Sequence, residues 1–352
     1  TYVIDCVDSS WISSIGPYVD RFEDALRGIT GVPHSVCVSN GTVALHLALH
    51  CLGIGPGDEV IVPTFTFIAS VNAIAHTGAT PIFAESRASD WLIDPEKIEP
   101  LISQRTKAIL PVHLYGAICD MPAIMAIARK HGLHVVEDCA ESLGAKLAGK
   151  HTGTFGDVGT FSFFGNKTIT TGEGGAVITK DERLASVLRM AKGQGQSLTR
   201  RYWHEMLGFN YRMTNIQAAI GVAQCERLSN ILACKRAIAR QYRKLLVDAP
   251  VTFQKPADGV ESSDWLVSIL LPASADRERV MTSMADQGVD TRPVFYCAHH
   301  MPMYASQRNT TVTPIAEAIS ARGLSLPSYP TLTEGEIARA ATALKDAVSY
   351  LR

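Results

Sequence analysis

The chain has 352 residues, 46% of them hydrophobic and 19% charged, with a formal net charge of -1 and a pI near 6.8. That length and composition suit one large domain plus a smaller one with a sizeable core, and argue against disorder. The balanced charge removes the electrostatic case for nucleic acid or an anionic membrane as partner, and the longest mostly apolar runs, such as 60–68, are too short to span a bilayer.

Residues 1–16 read as an irregular arm with Trp11, Ser13 and Ser14 near its end. The chain starts on Thr1 in mid-pattern, so a short preceding piece is expected, and no secretory signal pattern is seen. Pro17 opens a helix over 18–29, with Val19, Phe22 and Leu26 at helical spacing. A short buried strand at 36–38 runs into Ser39-Asn40-Gly41-Thr42 and a helix over 43–52. A strand, a turn of small residues and a helix N-terminus form an anion site, because free backbone N–H groups and the helix dipole face the turn. The same residue types are ordinary helix caps, and this stretch alone leaves both readings open.

Further strands are expected at 59–62, 80–84, 107–112 and 133–137, with helices after Phe67 through His76, over 95–104 and over 121–131. This alternation predicts a mostly parallel sheet covered by helices on both faces. The next strand, 158–164, ends in Gly165-Asn166-Lys167, and a glycine-rich return leads into a strand at 176–179. A helix follows over 181–192, then polar loops at 193–201 and 207–214. One long helix over 215–246 is expected next. The remainder reads as a strand at 265–271, a helix over 276–287, the segment 290–304, and a last helix over 333–351. Thr333 and Glu336 form a capping box on that helix. The pattern suggests a large domain over 1–225 and a small one over 226–352.

Ligands bind beyond the carboxyl ends of such strands, and Gly41-Thr42, Phe67, Asp138 and Lys167 all fall there. A lysine in an apolar, glycine-flanked corner is desolvated, which lowers an amine's pKa and frees it to attack a carbonyl. Lys167 is therefore a candidate Schiff-base lysine. The other residues suit pyridoxal 5'-phosphate: a phosphate anchor at Gly41-Thr42, a carboxylate at Asp138 for the ring nitrogen, Phe67 for the ring face and Ser162 on the lysine's own strand. Taken singly, Asp138 reads equally as a strand-end cap and Phe67 as core. The eight scattered cysteines form no Cys-x-x-Cys pair and fit a reduced, cytoplasmic protein. No metal site is expected; His299-His300 lacks metal-ligand spacing.

The chain also resembles the DegT/DnrJ/StrS nucleotide-sugar aminotransferases, of fold-type-I architecture. The resemblance runs through Ser39-Asn40-Gly41-Thr42, Pro63-Thr64-Phe65-Thr66-Phe67, Glu137-Asp138-Cys139-Ala140-Glu141, Gly153-Thr154-Phe155-Gly156-Asp157, Ser162-Phe163-Phe164-Gly165-Asn166-Lys167, Gly172-Glu173-Gly174-Gly175 and Asn210-Tyr211-Arg212-Met213-Thr214. It implies an α/β fold with a mostly parallel, mixed seven-stranded sheet and a smaller C-terminal α+β domain. It implies that Lys167 carries the cofactor and moves protons, and that Asp138 meets the pyridine nitrogen. Glu141 would lie near the ring's hydroxyl edge, Phe67 would stack, and Gly41, Thr42 and Ser162 would hold the phosphate. Asn210 and Arg212 would reach the cofactor of a second subunit, making a homodimer with shared sites. Trp11, Ser13 and His300 would approach the substrate. Within the group, residues 163–175 and Thr291-Arg292-Pro293 look most like the branch that aminates C4 of a GDP-linked 4-keto-6-deoxy sugar with glutamate as donor. The alternatives are a UDP- or dTDP-linked sugar, a sugar dehydratase of the same fold (against which Lys167 argues, since those carry His there), and a non-catalytic regulatory or binding protein. Two departures stand out: Cys297 where relatives have Pro, and Glu85-Ser86-Arg87, which reads as a surface change.

Overall fold

A computed structural model describes residues 1–307 and 312–349. The first helices are α1 (Tyr2–Asp8) and α2 (Pro17–Thr30). The residues 1–16 are thus not an irregular arm throughout. Cys6 of α1 is fully buried, Tyr18 Oη donates to Asp5 at 2.9 Å, and Tyr2 Oη donates to Glu226 at 2.7 Å. Val3, Ile4 and Val7 stay exposed. Long-range anchors rather than an amphipathic stripe hold this helix, so no periodicity announces it.

Seven strands form the main sheet: β1 (His34–Val38), β2 (Glu59–Pro63), β3 (Thr80–Ala84), β4 (Thr106–Ile109), β5 (His134–Asp138), then, past the short β6 (Lys146–Leu147) and β7 (Lys150–His151), β8 (Val158–Ser162) and β9 (Gly175–Thr179). Their order is β1-β9-β8-β5-β4-β2-β3. β8, β5, β4, β2 and β3 pair in parallel, while β9 is antiparallel to both β8 and β1. The expected mixed, mostly parallel sheet is what forms. Its strands are buried on both faces, as helices on either side require. The helices that follow or cross it are α3 (Gly41–Cys51), α4 (Ile68–His76), α5 (Met121–His131) and α6 (Glu182–Lys192).

Two helical expectations fail. Residues 95–104 form two short 3-10 turns, Pro95–Lys97 and Glu99–Leu101. Pro100 lacks the N–H that an α-helix would need there, and its ring clashes with the carbonyl four residues back. The long helix over 215–246 is two helices, α7 (Asn215–Glu226) and α8 (Leu228–Leu245). At Arg227 the N–H bonds the Gln224 carbonyl, three residues back, and the regular α-helical pattern is interrupted. The apolar periodicity runs through the break, which hides it. The strand expected over 158–164 stops at Ser162.

A second sheet, β10-β12-β14-β13, joins β10 (Thr252–Phe253), β12 (Val267–Leu270), β13 (Arg292–Pro293) and β14 (Gly323–Leu326). β11 (Val260–Glu261) instead extends the β6–β7 hairpin. α8, α9 (Arg277–Asp286) and α11 (Glu334–Ala347) enclose an apolar cluster of their own with this sheet, including Tyr242, Ile269, Met284 and Leu344. The Thr333–Glu336 capping box forms as expected. The last part of the helix expected to reach 351 lies outside the described residues.

Glu85-Ser86-Arg87 is not a surface change. Glu85 and Ser86 are buried, and the Glu85 carboxylate accepts N–H bonds from Ile315 at 3.0 Å and Ala316 at 2.9 Å, in the first turn of α10 (Pro314–Arg322). A carboxylate is stable there because the helix N-terminus presents unpaired donors.

Candidate active site

β1, β2, β5 and β8 deliver their carboxyl ends to one sheet edge, and each carries a residue singled out by its sequence position. Asn40 caps α3, its Oδ1 accepting from Val43 N at 3.0 Å. The cap leaves the turn open to an anion: the amides of Gly41 and Thr42 precede the first helical hydrogen bond and have no intrahelical acceptor. A side chain at Gly41 would put its Cβ 2.6 Å from Ser162 Cβ, so only glycine lets the start of α3 lie against the end of β8. Phe67 stands at the N-terminus of α4, half exposed, with its ring centroid 5.6 Å from that of Phe295.

Asp138 and its neighbour Glu137 point to opposite faces, as strand geometry dictates. Glu137 is entirely buried and accepts N–H bonds from Gly153, Phe155 and Gly156 as well as a bond with His113 Nε2 at 3.0 Å. Burial pushes its pKa up, but the His113 contact and the backbone donors outweigh this and hold it below the usual range. It pins the Gly153–Gly156 loop. Asp138 faces the cavity; Ser70 Oγ donates to Oδ2 at 2.7 Å and Ala140 N to Oδ1 at 3.0 Å.

Lys167 lies in the turn beyond β8, its N–H bonded to the Phe164 carbonyl at 3.0 Å. Nζ stands 4.1 Å from the centroid of the Trp265 ring and 3.5 Å from Oε1 of Glu141. Trp265 is itself fixed by its Nε1–H donating to the Asn166 carbonyl at 2.8 Å. Oε2 of Glu141 accepts the Tyr115 N–H at 2.8 Å. Burial raises the Glu141 carboxyl to about 7, against the opposing pull of the Lys167 charge. Tyr115 holds a left-handed backbone at φ 58°, and its ring lies between those of Trp265 and Phe295, at 6.3 and 5.4 Å.

Gly41, Thr42, Phe67, Asp138, Glu141, Ser162 and Lys167 line one cavity of about 500 Å³. Trp11, Ser13, Asn210, Arg212 and His300 do not line it. The carbonyls of Trp11 and Ser13 accept from Asn215 at 2.6 Å each, which ties the arm to the start of α7. Arg212 bridges to Val38, and Ser39 N donates to the Tyr211 carbonyl at 2.9 Å, so the 207–214 loop runs beside the Ser39–Thr42 turn. His300 is half exposed, 3.8 Å from Glu317. Arg292 lines a second cavity that also reaches Asn166 and Lys167. Ser70, Tyr115, Trp265 and Phe295 went unread as site residues. Each lies far in sequence from the group it supports, and an aromatic in an apolar run looks like core.

A buried carboxylate, a lysine that contacts an aromatic ring and a second carboxylate, and a glycine-dependent helix N-terminus now sit at the switch edge of a mixed seven-stranded sheet. This is the architecture of fold-type-I aminotransferases. The chain belongs to the DegT/DnrJ/EryC1/StrS aminotransferase family, whose model matches residues 1–345. It is 51% identical over 336 residues to the GDP-perosamine synthase of Escherichia coli O157:H7, covering 96% of this chain and 92% of that one. It is 45% identical to the GDP-perosamine synthase of Vibrio cholerae, covering 98% and 95%. Among solved structures, DesV of S. venezuelae superposes with a TM-score of 0.93 at 35% identity, covering 98% and 92%. The PLP form of the putative sugar aminotransferase Spr1654 of Streptococcus pneumoniae gives 0.95 at 27% identity, covering 100% and 96%.

Proposed function

We propose that this aminotransferase converts GDP-4-keto-6-deoxy-D-mannose to GDP-perosamine in the cytoplasm, with pyridoxal 5'-phosphate as cofactor and glutamate as amino donor. The observation that carries this reading is the single cavity in which Lys167, Asp138 and the Gly41–Ser162 cradle meet, in a chain half identical to a GDP-perosamine synthase. The residues fit the cofactor. A Cβ would fill the cradle at Gly41, and the buried Asp138 carboxylate lines the cavity with one donor on each oxygen.

Gly41, Thr42 and Ser162 hold the phosphate, with Asn210 and Arg212 of a second subunit completing that end in a homodimer. Asp138, oriented by Ser70, keeps a proton on the ring nitrogen. Phe67 covers one ring face and excludes water there, and Glu141 lies toward the ring's hydroxyl edge. Lys167 would hold the cofactor through its aldehyde carbon, and when bound the cofactor would supply that carbon to receive the amino group and an electron-accepting ring to stabilise charge beside it. Lys167 Nζ removes the α-proton of glutamate and, in the second half-reaction, protonates C4 of the sugar. Trp11, Ser13 and His300 are the proposed substrate contacts. We also infer a cofactor-binding domain over 1–225 and a small domain over 226–352. The separate apolar cluster that begins at Ile238 supports a second domain, although Leu228, Ile231 and Leu232 at the start of α8 still pack with the large-domain core.

Two measurements test this. The purified protein should take up pyridoxal phosphate as a coloured, lysine-bound species, and Lys167→Ala should lose both the colour and all turnover. A protein that never binds the cofactor sinks the enzyme reading. Assays with GDP-, UDP- and dTDP-linked 4-keto-6-deoxy sugars should show turnover of the GDP sugar. Turnover of only a UDP or dTDP sugar would overturn the substrate assignment and leave the chemistry standing.

A further inference from the structure

Lys167 must alternate between a charged and a neutral amine, so the groups that share its proton matter. Among the described residues, Glu141 is the one carboxylate within ion-pair distance of Nζ, at 3.5 Å. The carboxylate's other oxygen is held by the Tyr115 N–H, which fixes Oε1 toward the lysine. Both side chains are largely out of water, at 3% and 12% exposure. The Trp265 ring, its centroid 4.1 Å from Nζ, stabilises a cation but cannot take a proton.

In water an amine outcompetes a carboxylate for a proton by about six powers of ten. Burial of Glu141 narrows that gap from the carboxylate's side, because the low-dielectric site penalises its charged form. The carboxyl of Glu141 lies at about 7, raised first by burial. The charged and titratable groups facing it are Lys167, which opposes the rise, Asp138, which adds to it, and Tyr115, whose phenol burial pushes far above its usual value. The carboxyl is therefore poised where a lysine proton can be received and returned.

We propose that Glu141 is the proton partner of Lys167: Oε1 takes a proton from the Nζ ammonium and gives it back within each half-reaction. One N–H bond breaks and one O–H bond forms, and the pair's net charge is unchanged. The amine becomes a nucleophile and base without exporting a proton to solvent. Glutamine at 141 would keep the hydrogen-bonding shape and lose the exchange. This rests on the reading of Lys167 as the reactive amine.

The test uses Glu141→Gln in the full chain, with circular dichroism to verify folding. In the cofactor-free protein, infrared titration should show a protonated carboxyl band with a midpoint near 7 in the wild type and no such band in the variant. Lys167→Ala should move that midpoint upward, since the opposing charge is gone. Thermal unfolding gives an independent sign. An acid whose folded pKa is raised contributes its stability fully below the unfolded value, and loses it as pH rises through the folded one. Glu141→Gln should therefore gain Tm over the wild type between pH 5 and pH 8. In the loaded enzyme, the limb of kcat near neutral pH should vanish. A variant that keeps the wild-type pH profile, a band unaffected by either substitution, or a Tm difference equal at both pH values overturns the proposal. Failure to bind the cofactor would strike the functional reading alone, because the infrared titration reads the pair without it.

Discussion

Gly41 shows how one residue shapes the turn proposed to hold the phosphate. Its missing Cβ lets the first amides of α3 approach the end of β8, where Ser162 lies 2.6 Å from the position a Cβ would take. Gly41→Ala must push the helix start or the strand end aside, which misplaces donors that a phosphate needs. We expect cofactor affinity to fall by at least about tenfold, the worth of one charge-assisted hydrogen bond, with little change in secondary structure. A titration of the apoprotein with pyridoxal phosphate, followed by absorbance, measures it; unchanged affinity would remove the cradle from the site. At this scale the sequence was informative wherever a residue's meaning came from its immediate neighbours. Gly41, Asp138 and Lys167 stand directly after apolar strands, and strand ends are readable. Ser70, Tyr115 and Trp265 were not, since each acquires its role across a gap: Ser70 reaches Asp138 68 positions on, and Trp265 meets the carbonyl of Asn166 99 positions back.

Elements were legible where periodicity and punctuation agreed. Residues 80–84 and 121–131 needed nothing beyond a local pattern, and β3 and α5 fall there. The break at Arg227 and the helix α1 were hidden because tertiary contacts, not the local pattern, decide them. Glu85 is the sharpest case. Its sequence context looked like surface, yet its carboxylate caps α10, whose own N-cap residue, Thr313, makes no side-chain capping bond. Glu85→Ala would leave two N–H groups at the first turn of α10 without their acceptor. The expected loss is about 2 to 4 kcal/mol, since buried donors left unpaired cost about 1 to 3 kcal/mol each and some of that is recovered by water. Glu85→Gln keeps one acceptor oxygen and should lose roughly half as much. Urea unfolding of the two variants checks this. A Glu85→Ala midpoint equal to wild type would mean that the carboxylate is dispensable to the helix.

On the scale of the whole molecule, the residues left outside the cavity share a location. Asn215 ties the carbonyls of Trp11 and Ser13 to the start of α7, directly after the loop that bears Asn210 and Arg212. That region carries exposed apolar side chains, among them Trp11, Ile15, Tyr202 and, at 86% exposure, Leu207. A monomer that exposes so much apolar surface gains by covering it with a second copy. If Arg212 then serves the partner's cofactor while Lys167 serves its own, the two defects can be separated between chains. Lys167→Ala and Arg212→Ala homodimers should each be inactive or nearly so. In a mixed dimer, one site combines both defects and the other combines two intact residues. Random assortment from equal amounts makes half the dimers mixed, each with one working site of two, so co-refolding should restore about a quarter of wild-type activity. Activity no greater than the sum of the separate variants would place Arg212 in the same site as the Lys167 of its own chain, and the shared-site dimer would have to be abandoned.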